Sequence, residues 1–321
     1  MDSPHDQTST SSPDPDPEKR KEEANRAELT ERIARALPED GRIEPLEGLF
    51  LNRSSSPTEP LHAVVVQPCF CVIAQGGKEI HLGEHRYRYD PYKYLLVTAE
   101  LPLTGEVLKA SEEEPYLSLR LDLDPSIVSS VMVEAGHTAP PDGSDVRAID
   151  VNPLSDSLLD AAVRLVRLLE NPDDAPVLKP MITREIIYRL LQGEQSERLR
   201  HIAVLNGQSH RIAEAVRRLR QNFDESIQVE TLAEEFGMSQ SSFYQHFKDF
   251  TGMTPLQFQK QLRLQEARRL MLGEDLNAST AGYRVGYDDP SHFSREYKRQ
   301  FGRPPMRDVE RLRETEAAPI E

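Results

Sequence analysis

The sequence predicts an α+β fold in two parts, a β-rich N-terminal domain with flanking helices and an all-α C-terminal domain. Three observations predict it. Between residues 43 and 123, short runs rich in Val, Ile, Leu and Tyr alternate with Gly, Pro and Asn, as closely spaced strands do. After Gly207 the apolar residues recur at helical spacing. Within this helical part, one pattern of aromatic, basic and turn residues occurs twice.

The composition limits the domain count and the class of protein. A chain of 321 residues suits about two domains. The formal net charge is −15, yet residues 210–316 carry equal numbers of basic and acidic side chains, so this balance neither favours nor excludes nucleic acid. No apolar run reaches the ~18 residues of a membrane span, and the N-terminus is acidic and polar. We therefore expect a cytoplasmic protein with no membrane partner.

The N-terminal part begins with a polar segment and a short helix. Residues 1–26 have almost no apolar content, which is typical of a disordered acidic tail. From Ala27 to Leu37, apolar residues such as Leu29 and Ile33 follow helical spacing. Seven short strands are predicted next, over residues 64–66, 69–74, 79–82, 85–89, 94–98, 104–108 and 116–121.

These strands indicate a small barrel or sandwich that can enclose one ligand. The dipeptides Gly76-Gly77 and Gly83-Glu84 are predicted to be hairpin turns. Helices are then expected over residues 125–135, 154–170 and 180–192. The apolar face over residues 158–169 is wider than a surface helix needs, which leaves two interpretations open: a homodimer helix, or packing against the β-rich domain.

A joining helix in the C-terminal part has well-defined ends. Thr254 suits the N-cap, Pro255 the first helical position and Gln257 the capping-box position. Gly273 suits the position after the last helical residue. The helix spans about 17 residues, or roughly 25 Å. Such a helix would hold its flanking elements at a spacing compatible with successive major-groove segments about 34 Å apart. Further helices are predicted over residues 212–223, 229–236, 239–250, 278–285 and 290–301.

The pattern Phe-x3-[Phe/Tyr]-Lys-x3-Gly-x2-Pro occurs twice, starting at Phe243 and at Phe293. The first copy is preceded by Ala233 and Gly237, and the second by Gly282 and Gly286. A small residue lets the first helix of a helix-turn-helix approach the second, and glycine takes the positive φ of the turn. We therefore predict two helix-turn-helix units in tandem, because plain helical packing would not explain the duplication.

The exposed face of each second helix carries side chains that suit DNA. In the first unit these are Gln240, Ser241, Tyr244, Gln245 and Lys248, and in the second they are Pro290, Ser291, His292, Arg295, Lys298 and Arg299. Amide and guanidinium groups pair with adenine and guanine edges, and the basic groups also suit phosphates. The predicted partner is double-stranded promoter DNA. The second unit is predicted to supply most of the positive charge. The first is predicted to contact bases mainly through polar side chains.

At these residues the chain resembles the AraC/XylS family of bacterial transcription regulators. The match covers about residues 205–309, where residues 286–295 followed by Lys298, Gly302 and Pro305 are similar to the family's signature. Residues 67–121 also resemble the sensor domain of one AraC-type subgroup. Four positions depart from the family pattern. Ala278 and Ala281 stand where larger aliphatic residues are usual, Gln245 stands where arginine is frequent, and Asp308 replaces an aromatic residue.

The resemblance implies a domain organisation and partners. A cupin-like β-barrel with flanking helices at residues 27–204 would bind an effector or dimerise. It would control a DNA-binding domain of seven helices at residues 205–309, followed by a tail at residues 310–321. A small-molecule effector of unknown identity, a second copy of the chain and RNA polymerase are the further candidate partners.

Two pairs of residues are candidates for the effector site. Cys69 and Cys71 are either inert, buried core thiols or reactive thiols that sense an electrophile or oxidant. Arg86 and Arg88 share one strand face, which suits an anionic effector but equally an ordinary solvated surface. A metal-binding cupin would show His-x-His with a following Glu on one strand, and the chain lacks this order. We expect no metal and no cofactor.

No arrangement of catalytic residues or phosphate-binding loop rises above chance, so we do not expect an enzyme. Two alternatives to a transcription regulator stay open. One is a cupin-type metalloenzyme, which a stoichiometric metal would support. The other is a protein-interaction module with a helical appendage, which a DNA affinity falling steeply with salt would exclude.

Overall fold

The structure is a computed structural model that describes residues 17–58, 61–137, 147–193, 196, 198–199 and 208–317. The strands are β1 (Gly41–Leu46), β2 (Leu49–Ser54), β3 (Leu61–Val66), β4 (Cys69–Gln75), β5 (Gly77–Leu82), β6 (His85–Tyr89), β7 (Lys93–Val97), β8 (Leu101–Lys109), β9 (Tyr116–Asp122) and β10 (Ile149–Pro153). The N-terminal helices are α1 (Pro17–Ala36), α2 (Pro125–Glu134), α3 (Asp156–Arg167) and α4 (Ala175–Gln192). The C-terminal helices are α5 (Gln208–Gln221), α6 (Val229–Glu235), α7 (Gln240–Thr251), α8 (Pro255–Gly273), α9 (Ala278–Arg284), α10 (Pro290–Phe301) and α11 (Pro305–Ala317).

The strands form two antiparallel sheets, which confirms the α+β class of the N-terminal domain. The larger sheet has the order β1-β2-β9-β4-β7-β10 and the smaller one β3-β8-β5-β6. The described strands therefore form a sandwich. They do not close into the cupin-like β-barrel that the resemblance implied, because they belong to two separate sheets. Alternate residues of β4 face different cores, since Phe70 and Val72 pack with the helices whereas Cys69, Cys71 and Ile73 pack with the smaller sheet.

Helix α3 buries its wide apolar face within the chain. Its residues from Leu158 to Val166 are largely buried, because α1 contacts one side of the helix and α4 another. Of the two interpretations left open by the sequence, intramolecular packing therefore accounts for this face. Helix α4 instead exposes Val177, Met181 and Tyr188.

Several boundaries differ from the predicted ones. Helix α1 begins at Pro17 and not at Ala27, because Arg26 pairs with Glu22 at 2.5 Å and lies 4.3 Å from the ring centre of Tyr92. Residues 1–16 of the expected tail lie outside the described residues. Strands β1, β2 and β10 were not predicted. The domain boundary placed between residues 204 and 205 also lies outside the described residues and stays a prediction.

One prediction about a connection was wrong. Gly76 does not make a hairpin turn, because it carries the chain from the larger sheet to the smaller one with φ 88°. Gly83 does connect the hairpin of β5 and β6. The expected tail after residue 309 is helical as far as Ala317, because Arg313 of α11 donates to the Met271 carbonyl at 2.8 Å.

The two domains touch at the end of the first tandem unit. The Ala148 amide donates to the Phe250 carbonyl at 3.2 Å, and Arg220 of α5 pairs with Glu100. Gly83 of the N-terminal domain lies so close to Gly252 that a Cβ added to Gly83 would be 2.8 Å from the Gly252 carbonyl oxygen. The N-terminal domain thus contacts the C-terminal end of α7.

Candidate nucleic-acid interface

The first helix-turn-helix consists of α6, a short turn and α7. Ala233 is buried against the second helix, and Gly237 takes the predicted positive φ of 66°. Ser239 caps α7 by accepting the Ser242 amide at 3.3 Å. Gly252 ends the helix in the left-handed conformation with φ 72°. The local sequence signals therefore account for this unit.

The second unit repeats this plan with α9 and α10. Gly282 suits close packing, because an added Cβ would lie 3.0 Å from Cγ of Phe293 and the ring would have to move by a few tenths of an ångström. Gly286 takes a φ of 86° in the turn, and Asp289 caps α10 by accepting the Ser291 amide at 2.8 Å. Phe293 and Tyr297 of α10 are fully buried, which leaves the opposite face of this helix to solvent.

Helix α8 joins the units as predicted. The Thr254 hydroxyl accepts the Gln257 amide at 3.3 Å, and the Gln257 side chain accepts the Thr254 amide at 2.9 Å, which completes the capping box. The helix has 19 residues and a length of about 28 Å. It therefore acts as a rigid spacer between the two units.

Arg263 of α8 holds the loop after α5 and the turn of the second unit to the spacer, a role that sequence reasoning missed. Its Nε donates to the Phe223 carbonyl at 2.7 Å, and its Nη1 donates to the Gly286 carbonyl at 2.8 Å. Its Nη2 donates to the carbonyls of Asp224 at 3.0 Å and Glu225 at 2.9 Å. Burial lowers the pKa of this guanidinium, which nevertheless stays charged at neutral pH. One side chain thus ties the loop after α5 to the turn of the second unit.

Asp308 also has a structural role that its departure from the family pattern did not reveal. Its Oδ2 lies 2.6 Å from Nη2 of Arg268 and accepts the Tyr297 hydroxyl at 2.8 Å. Asp308 is 0% exposed, and the Arg268 guanidinium also lies 4.3 Å from the ring centre of Phe301. Burial, together with the charge of Asp308, raises the pKa of Tyr297. This group joins the spacer helix, α10 and α11.

The structure places the candidate DNA-binding residues on two accessible helix faces. Gln240, Ser241, Gln245 and Lys248 are exposed on α7, and Tyr244 is half-buried. Ser291, His292, Arg295, Lys298 and Arg299 are exposed on α10, and Pro290 is half-buried. The N-terminal domain contacts the end of α7 but leaves these faces open. The assignment of individual DNA contacts stays a prediction.

The second unit presents more basic charge than the first. Arg295 and Lys298 make no ion pair within the described part of the chain. Arg299 is partly neutralised, because its Nη2 lies 2.5 Å from Glu296. His292 is held edge-on to the Tyr287 ring with centres 5.6 Å apart. Two basic side chains are therefore available to a nucleic acid on this helix face.

In the first unit, Gln245 is engaged by a neighbour one turn along α7. Its Nε2 donates to both carboxylate oxygens of Asp249, at 3.0 and 2.8 Å. The carboxylate orients the amide, so that the amide oxygen of Gln245 stays available to accept a hydrogen bond. Lys248 is the basic side chain of this predicted reading face. The predicted division of labour between the two units stays a prediction.

The four candidate effector residues do not come together. Cys69 and Cys71 are buried between the sheets with their Sγ atoms 3.7 Å apart, and both are free thiols. The hydrogen bond with Cys71 and the loss of hydration raise the pKa of Cys69. Arg86 and Arg88 are instead exposed on the smaller sheet. The structure therefore does not combine them in one pocket.

Arg86 and Arg88 cover a buried carboxylate, Glu79, which is 1% exposed. The hydrogen bond from Arg88, with a second contact from His81, holds the pKa of Glu79 below its usual range. One cluster among the described residues has the spacing of a metal site. Its ligand atoms, from Glu79, His81 and Glu106, lie within 4.8 Å of one another. A cation would have to compete there with two guanidinium groups.

Comparison with known proteins agrees with this geometry. A model of the AraC-type transcriptional regulator N-terminus matches residues 45–198, and a helix-turn-helix domain model matches residues 232–311. The chain belongs to the AraC family of transcriptional regulators. The resemblance stated from the sequence is thereby confirmed, and the matched regions are the sandwich and the tandem units of this AraC-family chain.

Individual relatives are more distant. The HTH-type transcriptional activator RhaS of Salmonella schwarzengrund is 29% identical over 164 residues, which cover 50% of this chain and 57% of that protein. The chain thus spans little more than half the length of this curated relative. The structure of ToxT from Vibrio cholerae strain SCE256 bound to an unsaturated fatty acid aligns with a TM-score of 0.53 and 11% identity, covering 83% of this chain and 96% of that one. At this identity the likeness establishes the fold alone.

None of the described helices combines the length and the apolar character needed to cross a bilayer.

Proposed function

We propose that this AraC-family protein is a sequence-specific DNA-binding transcription regulator. The observation that carries the proposal is the pair of capped helix-turn-helix units, joined by one rigid helix, whose outer faces stay exposed while the sensor domain is docked. Spacing by α8 suits successive major-groove segments on one side of the duplex. We propose no catalytic role and a cytoplasmic location.

The two recognition helices are proposed to have different tasks. In α10, the guanidinium of Arg295, which has no ion pair among the described residues, suits the paired acceptors of a guanine edge, and Lys298 suits a phosphate. In α7, the oriented amide of Gln245 together with Gln240 suits adenine, with Lys248 on the backbone. The second unit would therefore dominate affinity, whereas the first would mainly refine the preferred sequence.

Substitution of Arg295 and Lys298 separates base reading from phosphate binding. Arg295→Ala is expected to relax the preference at one base position by about 1–3 kcal/mol. Lys298→Ala is expected to weaken binding to every sequence and to reduce the slope of affinity against salt by about one. Fluorescence anisotropy with single-base variants of a selected site, at several salt concentrations, measures both effects.

Arg284→Ala is the matched control, because Arg284 is exposed on α9 but pairs with Glu274 at 2.7 Å. It should change neither the base preference nor the salt slope appreciably. An equal loss on all sequences for Arg295→Ala would contradict its assignment to a base.

Further partners belong to the same proposal. A small-molecule effector would act through the N-terminal domain, and RNA polymerase would be met at the promoter. A second copy of the chain would meet α4, whose exposed Val177, Met181 and Tyr188 lie on one helical stripe. Sedimentation velocity of the full chain decides the last point, since a monomer at working concentration would contradict it.

A further inference from the structure

A cavity of about 690 Å³ lies where the two domains meet. One side belongs to the N-terminal domain and includes Ile127 of α2 and Thr183 of α4. The other side belongs to the C-terminal domain and includes Ala213 of α5 and Phe250 of α7. Its volume lies in the range of small-molecule sites, which often occur at domain interfaces. A molecule bound here would touch both domains at once.

Most of the cavity wall is apolar. Leu121, Leu123 and Ile127 contribute from the N-terminal domain, and Ala213 and Phe250 contribute from the C-terminal domain. Burying hydrocarbon surface against such a wall is favourable, whereas a strongly hydrated molecule would lose its contacts with water without compensation. The body of a fitting ligand is therefore apolar.

Three carboxylates at the cavity already have basic partners. Glu214 pairs with Arg217, Glu100 pairs with Arg220, and Asp122 pairs with Arg120 at 2.8 Å. Loss of hydration nevertheless raises the pKa of Asp122, while Arg120 opposes the rise. These pairs contribute no net charge to the cavity.

The remaining charges leave the cavity slightly acidic. Glu47 and Asp124 line it opposite one further basic group, Lys179. Asp124 accepts the Ser126 amide at 2.7 Å, and the hydrogen bonds from the Ser126 hydroxyl and amide hold the pKa of Asp124 below its usual range. Asp124 is therefore ionised at neutral pH. Together these groups leave one negative charge without a counter-charge in the lining.

We propose that this cavity binds a small apolar cation whose charge is balanced by Glu47 and Asp124. Its role as the effector site rests on the proposed regulatory function. Helix α5 lines the cavity and, through Arg220 and Glu100, also pairs with the sensor domain. A ligand bound in the cavity therefore affects the contact that holds α5, and with it the first helix-turn-helix unit, to the sensor domain.

Calorimetric titration of the full chain with tetraphenylphosphonium and tetraphenylborate tests the ligand class. The two ions have nearly the same shape and opposite charge. We expect the phosphonium ion to bind at least about tenfold more tightly, because the two carboxylates attract one ion and repel the other. Equal affinity for both ions, or no binding of the phosphonium ion, overturns the proposal.

Variants locate the site. Ala213→Trp fills the cavity from α5 and should weaken phosphonium binding at least about tenfold. Glu47→Gln should weaken it about threefold or more, whereas Glu113→Gln, an exposed carboxylate outside the cavity, should leave it unchanged. If both Ala213→Trp and Glu47→Gln bind normally, the site lies elsewhere. Calorimetry needs no DNA, so its outcome is independent of whether the C-terminal domain recognises DNA.

Discussion

Asp308→Ala is expected to destabilise the second helix-turn-helix unit by about 3–5 kcal/mol, because it leaves the buried Arg268 guanidinium without a counter-charge. The Tyr297 hydroxyl loses its acceptor in the same step. Hydrogen exchange of peptides from α9 to α11 measures the loss locally, and DNA affinity should fall with it. The effect is large because Asp308 lies where three helices meet.

Asp275→Asn is the matched control, since Asp275 also pairs with an arginine, Arg313 at 2.7 Å, but its side chain is 84% exposed. Its φ is 53°, a left-handed conformation that asparagine tolerates better than alanine. That change should cost about 1 kcal/mol or less. The double variant Arg268→Met with Asp308→Leu should recover most of the lost stability, because it removes both buried charges. If Asp308→Ala costs no more than Asp275→Asn, the buried pair does not hold this unit together.

Gly286→Ala and Gly237→Ala occupy equivalent turns of the repeat but are expected to differ in cost. Both residues have positive φ, so alanine at either site is strained by about 1–2 kcal/mol. At Gly286 an added Cβ would also lie 2.1 Å from the Asp224 carbonyl oxygen and 2.8 Å from Nη2 of Arg263. At Gly237 the nearest atom is 3.8 Å away. Gly286→Ala should therefore cost about 3 kcal/mol or more.

The same exchange measurement separates the two glycine variants. Gly237→Ala should loosen peptides of α6 and α7 modestly, whereas Gly286→Ala should also loosen the loop after α5, because Arg263 ties that loop to the turn. Equal costs for the two variants, with no change near Asp224, would show that the backbone moves aside freely and that the tie has little energetic weight.

The tandem units were predictable because their signals are local. The capping box at Thr254, the turn glycines and the aromatic pairs all act within one or two helical turns, so the sequence reports them directly. Strand β10 was missed because its pairing with β7 joins segments about fifty residues apart. Gly76 was assigned to a hairpin for the same reason, since only tertiary structure shows that β4 and β5 belong to different sheets.

The candidate site was predictable in part. The faces of α7 and α10 follow from helical periodicity once the buried aromatic residues are known. The contacts of Arg263 and Asp308 depend on how helices meet, so no local pattern in the sequence indicates them. The departure from the family pattern at Asp308 marks that position but not its partners. The cavity between the domains has walls from segments far apart in the chain, so no spacing in the sequence indicates it.

Hydroxyl-radical footprinting of the full chain, on DNA that the chain itself selects from a random library, tests the central claim most directly. Two recognition helices on one rigid spacer should give an enriched sequence and two protected segments about 34 Å apart on one face of the duplex. Failure to enrich any sequence, or protection of a single segment, would contradict the tandem reading of DNA by α7 and α10.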